Sequence, residues 1–215
     1  ITIKAEAQGV SPEDIFKEIH GQFLECWEQL GISFDLFTHT HTDNHSEVVQ
    51  SIFKKLYEDG HIYIDTMLLA YCKECSRFLA DRYVEGECPI CNDPKARGDQ
   101  CDNCGRTLDP QDLINPTCAI SHTTPEFKES EHFFLRLSSF EEELLSWIED
   151  KDYWRPNVKN FTTRFLKDGL KDRAISRDLD WGINIPIAGY TDKKIYVWFE
   201  AVIGYYSAAI EWAKI

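Results

Sequence analysis

The sequence lacks any run approaching the roughly 18 uninterrupted apolar residues of a membrane-spanning helix, and its opening, ITIKAEAQGV, lacks the basic stretch and apolar segment of a secretory leader. Membrane insertion and export are therefore not expected. Methionine is almost missing, occurring only as Met67 and not at position 1. With an apolar ITIKA at one end and the aromatic AVIGYYSAAIEWAKI at the other, the chain reads as part of a longer protein. Positive charge is scarce too, with 23 Lys and Arg against 37 Asp and Glu and a net charge of −14. A sequence-independent nucleic-acid sleeve neutralises phosphates with clustered cations, so the chain as a whole is not one. Low-complexity tracts are absent, and only the cysteine pairs repeat.

The charge that is present is uneven. Residues 1–71 carry 4 Lys and Arg against 12 Asp and Glu, whereas residues 155–194 carry 9 against 5. A polyanionic partner is expected at the later segment, away from the acidic helix at 141–150. With 43% hydrophobic and 13% aromatic residues among 215, the chain can bury a core of one large or two small domains.

Local signals place the elements. Ser11-Pro12-Glu13-Asp14 offers an N-cap, a proline at the first helical position and acids in the first turn. Ile15, Ile19, Phe23, Trp27 and Leu30 then recur at helical spacing up to Gly31, predicting a core-facing helix. ISFDLF predicts a short strand, and SEVVQSIFKKLYEDG a second helix with Val48, Ile52, Phe53 and Leu56 on one side. IYIDTMLLAYC predicts one or two strands, SSFEEELLSWIED a capped helix, PNVKNFTTRFLKDGL another, KKIYVWFEA a buried strand and VIGYYSAAIEWA a closing helix.

Between Cys72 and Cys118 large apolar residues thin out, and Cys, Gly, Asp, Asn and Pro take over. Such a stretch needs a staple, and metal supplies one. Cys88-x2-Cys91 and Cys101-x2-Cys104 are two halves of a tetrahedral zinc site, separated by the turn-rich NDPKARGDQ, with Gly105 suited to the positive φ that ends such a knuckle. Four thiolates leave no open position, so the zinc is expected to be structural. The paired spacing argues against a disulfide framework and for a reducing, cytoplasmic compartment. A third pair, Cys72-x2-Cys75, has Cys118 and His122 within reach as a Cys3His set for a second zinc; free thiols are the alternative reading. Cys26 is expected in the core, and His39, His41 and His45 as solvated loop or cap residues.

The order of motifs carries more than any one of them. FLADRYVEGECPICNDPKARGDQCDNCG, LDPQDLINP, LKDGLKDRAISRDLDWGINIP and KKIYVWFEAVIGYY together closely resemble the methionyl-tRNA synthetases, over essentially the whole chain. The resemblance implies an α/β class I aminoacyl-tRNA synthetase fold, with Rossmann-like portions flanking a zinc-knuckle connective insertion. Residues 1–60 would end the first half of the catalytic domain, 61–186 form the insertion with knuckles at 72–122, and 187–215 begin the second half.

The resemblance further implies methionine, ATP with Mg2+, and tRNA as substrates and partners, with no DNA or membrane. Trp198, Ala201 and Tyr205 fall where the family lines its methionine pocket, and Arg177 matches an arginine directed toward ATP phosphates or the tRNA end. Val202 and Glu200 depart from the Pro and Asp common there, and Cys118-Ala119-Ile120-Ser121 stands where two-metal members have another C-x2-C. Neither HIGH-type nor KMSKS-type signature occurs, so the chain alone is expected not to catalyse methionine-dependent pyrophosphate exchange. Competing readings are a free-standing zinc-ribbon module binding nucleic acid through 155–194, a thiol redox protein, and a leucine, isoleucine or valine enzyme, whose large editing insertion finds no space here.

Overall fold

The computed structural model describes residues 1–215, with all side chains except that of Ile3. Helix α1 (Thr2–Gln8) stops at Gly9, whose φ of 66° a side chain would resist. Helix α2 (Pro12–Gln29) starts with a reciprocal cap: the Ser11 hydroxyl accepts from the Asp14 N–H, and the Asp14 carboxylate accepts from the Ser11 N–H, both at 3.1 Å. Only Ile15 of its apolar face is buried; Phe23 and Leu30 stand exposed, as does Cys26. Periodicity thus located the helix but not its cover. ISFDLF is a loop rather than a strand, because it finds no ladder partner and packs its rings locally instead, Phe34 against Trp27 and Phe37.

Helix α3 (Asp43–Glu58) ends before Gly60 and buries Val49 and Phe53. The 11-residue strand β1 (Ile62–Cys72) follows, then β2 (Arg77–Phe78), β3 (Val84–Glu87), β4 (Ala96–Arg97), β5 (Ile114–Cys118) and β6 (Glu126–Leu135). β1 pairs antiparallel with β6 along its length, from Ile62 opposite Leu135 to Tyr71 opposite Glu126. Helices α4 (Glu141–Glu149) and α5 (Pro156–Lys167) precede β7 (Arg173–Ala174), β8 (Ser176–Arg177) and β9 (Lys194–Ile195). The sheets run β2-β1-β6-β7, β4-β3-β5 and β8-β9.

Two expectations are corrected here. α4 has no side-chain cap; a 3-10 turn over Leu137–Phe140 leads into it, and the Ser138 hydroxyl donates to Asp172 instead. KKIYVWFEA is a strand only at Lys194–Ile195. The N–H groups of Phe199 and Ala201 then turn back on the carbonyls of Tyr196 and Val197, making the short helix α6 (Val197–Glu200) before α7 (Ile203–Trp212). Exposed Val197 and Trp198 show that this segment is not a buried strand.

The chain forms two compact units, Ile1–Ser46 with Val202–Ile215, and Glu47–Ala201. These limits differ from the expected 60/61 and 186/187. Phe53 explains the first shift, since it packs in the longer unit against Phe133 and Phe199 at 5.3 and 6.0 Å. No helix is long and apolar enough to cross a membrane among the described residues.

Candidate metal centre

The core of the lobe carrying β3, β4 and β5 is poor in large apolar side chains. Its buried side chains are Ala70, Leu79, Val84, Ala96 and Leu113 together with Cys72, Cys88, Cys101 and Cys118. Four sulfurs stand where larger apolar side chains would be needed to close a core, and buried thiols contribute only as small hydrophobes.

Cys88, Cys91, Cys101 and Cys104 bring their sulfurs within 4.8 Å of one another. Cys88 and Cys104 are 3.9 Å apart, and Cys91 and Cys101 3.6 Å. Zinc–sulfur bonds of about 2.3 Å in a tetrahedron put thiolates about 3.8 Å apart, whereas a disulfide needs about 2.05 Å. The donor set therefore fits zinc. Local backbone builds each half-site: Asn92 and Gly105 donate their N–H groups to the carbonyls of Cys88 and Cys101, both at 2.9 Å. Each takes a positive φ, 58° and 70°. Gly105 was foreseeable; Asn92 fills the same position because asparagine tolerates this conformation best after glycine.

Ionisation agrees with this geometry. A hydrogen bond from the Asn103 side chain holds the Cys91 thiol down at about 7. The backbone N–H of Cys104 favours the Cys101 thiolate, but burial and the sulfurs of Cys91 and Cys104 outweigh it and push Cys101 up to about 12. Thiolates packed this closely ionise together only around a shared cation.

A second group forms from Cys72, Cys75 and Cys118. Cys75 and Cys118 are 3.9 Å apart, and the Cys72 sulfur lies 3.1 Å from the Ser121 hydroxyl. The knuckle backbone recurs at Cys118, where His122 takes a φ of 57° and its N–H donates to the Cys118 carbonyl at 2.8 Å; after Cys75, Ser76 also takes a positive φ, 51°, but its N–H donates to the Lys73 carbonyl at 3.1 Å. Residue 121 thus holds the position of a second ligand, and His122 that of the positive-φ residue, its side chain exposed and outside the gathered sulfurs. Burial raises the Cys72 thiol, but hydrogen bonds from Ser121 and the Cys75 N–H bring it down to about 6; burial and its neighbours push Cys75 up to about 11.

The remaining predicted residues stand apart from the sulfurs. Trp198 is 65% exposed in α6 with Ala201 just after it, and Tyr205, in α7 of the other unit, is 85% exposed. Arg177 is buried, donating to Asp81 at 3.1 Å and to the carbonyls of Ala174 and Ser176, and lying over the Tyr196 ring at 3.9 Å. A guanidinium held this way links β8 to the turn before β3. His45 is likewise buried rather than solvated, sharing a 2.8 Å hydrogen bond with Ser207.

Sequence reasoning missed a buried polar group. His132 contacts Ser176 and Asp178 at 2.8 and 3.1 Å, while Lys193 donates to both Asp178 and Ser130. Each member is unremarkable in the sequence, and they meet only through the pairing of distant strands.

A unit that gathers two groups of cysteine sulfurs thus lies, in sequence, between two segments of another unit. The family model described as tRNA synthetases class I (M) matches residues 1–215, and the chain belongs to that family. Its curated relatives are methionine–tRNA ligases: that of Thermomicrobium roseum is 59% identical over 99% of this chain, and that of Thermoplasma volcanium 54% over 97%. The chain spans 36% and 38% of those proteins. Among solved structures, the Mycobacterium tuberculosis methionyl-tRNA synthetase in complex with methionyl-adenylate shares the fold at a TM-score of 0.66, with 24% identity, over 97% of this chain and 36% of that one.

Proposed function

We propose that this chain is the central part of a cytoplasmic methionine–tRNA ligase that activates methionine with ATP and Mg2+ and then esterifies the 3′ end of tRNA. The observation that carries this reading is the 59% identity, sustained over 99% of the chain, to a methionine–tRNA ligase. Cys88, Cys91, Cys101 and Cys104 would hold one zinc, and Cys72, Cys75 and Cys118 a second, with the Ser121 hydroxyl or water in the fourth place. Zinc here supplies a cross-link that folds the insertion and takes no part in the reaction.

Trp198, Ala201 and Tyr205 are assigned to methionine. The thioether favours aromatic partners, and the exposure of both rings supports a role other than core packing. Arg177 would reach a phosphate only by giving up Asp81, so we assign it to holding β8 against the knuckle lobe. DNA and membrane have no part in this reading. The test is pyrophosphate exchange into ATP by the complete protein carrying this chain. Exchange that depends on methionine, and is absent from the isolated 215 residues, is expected; exchange driven instead by leucine, isoleucine or valine would overturn the reading.

A further inference from the structure

Strands β8 and β9 pair over two residues each, Ser176 opposite Ile195 and Arg177 opposite Lys194, and only Tyr196 separates β9 from α6. So short a ladder is marginal by itself. α6 adds little of its own. Its four residues have no side-chain cap and none is fully buried; the half-buried ring of Phe199 meets Phe53 at 6.0 Å. Where α6 stands, and Trp198 with it, is therefore set by what holds β9.

A buried polar group does so. Asp178 directly follows β8, and Lys193 directly precedes β9. Lys193 donates to the Asp178 carboxylate and, at 3.1 Å, to the Ser130 hydroxyl of β6, which donates to Asp178 at 3.0 Å. His132, two residues further along β6, lies 3.1 Å from Asp178 through Nε2 and 2.8 Å from Ser176 through Nδ1. A carboxylate only accepts, which puts the imidazole proton on Nε2. The Ser176 hydroxyl then donates to Nδ1, while its oxygen accepts the Phe133 N–H at 3.0 Å. One carboxylate ties β6, β8 and β9 together, and all of these residues lie with Trp198 and Ala201 in the longer unit.

Apolar side chains of similar volume would stabilise this spot about as well, because desolvation offsets much of the attraction within a buried ion pair. What apolar packing lacks is direction. Three hydrogen bonds converging on Asp178, from Ser130, His132 and Lys193, fix where β9 lies against its neighbours. We propose that Asp178, His132 and Lys193 are positioning residues for methionine activation, holding β9 so that α6 presents Trp198 and Ala201 in one place. This deepens the ligase reading and rests on it.

The test is steady-state pyrophosphate exchange by the complete protein carrying this chain. Lys193→Met with Asp178→Asn removes the ion pair without leaving a charge buried alone, and is expected to fold. Its kcat/KM for methionine should fall on the order of 10–100-fold, the scale of a displaced binding group. The loss should come through a higher methionine KM, with the ATP KM unchanged. His132→Gln, which keeps a donor for Asp178, should hold most of the methionine affinity that His132→Leu loses. In a Trp198→Ala background the pair substitution should change the methionine KM far less than in the wild type, because its effect passes through that ring. A lower kcat with both KM values unmoved is loss of folded enzyme and overturns the proposal. So do complete unfolding of the pair variant in circular dichroism, equal losses in His132→Gln and His132→Leu, and additive effects of the pair and Trp198 substitutions. Any of these beside methionine-dependent exchange in the unsubstituted protein overturns the positioning role alone, whereas absence of that exchange overturns the ligase reading.

Discussion

Ser121 occupies the place that cysteine fills in the other three knuckles, 3.1 Å from the Cys72 sulfur. A neutral hydroxyl is a poorer zinc ligand than a thiolate, so the second ion should be the weaker of the two. Ser121→Cys is expected to tighten it by at least about an order of magnitude in a competition titration with a chromophoric chelator, since even the outer-shell partners of a ligand are worth about 10–100-fold in metal affinity. Cys118→Ser should leave one ion per chain. Unaltered affinity in the first variant would show that residue 121 is not a ligand.

Asp178 makes a second residue-scale claim. Burial disfavours its carboxylate, but hydrogen bonds from His132 and Lys193 outweigh burial and hold it down at about 2, below its ordinary 3.8. A depressed folded value contributes stability that is present above the unfolded value and is lost as pH falls through the folded one. Its size is about 2 kcal/mol. In urea unfolding, Asp178→Asn should be the less stable protein at pH 5, and the gap should close between pH 4 and pH 2. A gap independent of pH would contradict the pairing.

At the scale of elements, Gly98 shows how tightly the knuckle lobe is built. A Cβ there would lie 2.5 Å from the Asp81 carbonyl oxygen and 2.9 Å from Pro110. Asp81 also receives Arg177, so a shift of this turn reaches β8 and Tyr196. Gly98→Ala should cost roughly 1–3 kcal/mol by overpacking, measured by chemical unfolding with zinc held constant; a neutral substitution would mean the turn is loose. None of this is legible in the sequence, because Asp81 and Arg177 are 96 residues apart. The C-x2-C pairs were legible because ligand and turn lie within five residues, and α2 because its cap is local. ISFDLF and KKIYVWFEA misled because β-rich composition makes a strand only where a partner strand is waiting. For His122 the ligand chemistry is visible in sequence, while its positive φ of 57° is not.

For the whole molecule, the insertion in sequence organises everything else: the first and last segments share one compact unit, and the residues between them form the other. That unit has a long ribbon, β1 with β6, and a knuckle lobe whose core holds four sulfurs. Removing metal should therefore act on the lobe first and leave the ribbon paired, since the ribbon's backbone hydrogen bonds do not pass through the sulfurs. The most direct measurement is zinc content of the purified chain, taken together with amide exchange. The wild type is expected to hold two equivalents, and Cys88→Ser with Cys101→Ser to hold one while losing amide protection across residues 84–118. A variant that keeps both ions, or a metal-free chain with the lobe fully protected, would contradict a zinc-folded insertion.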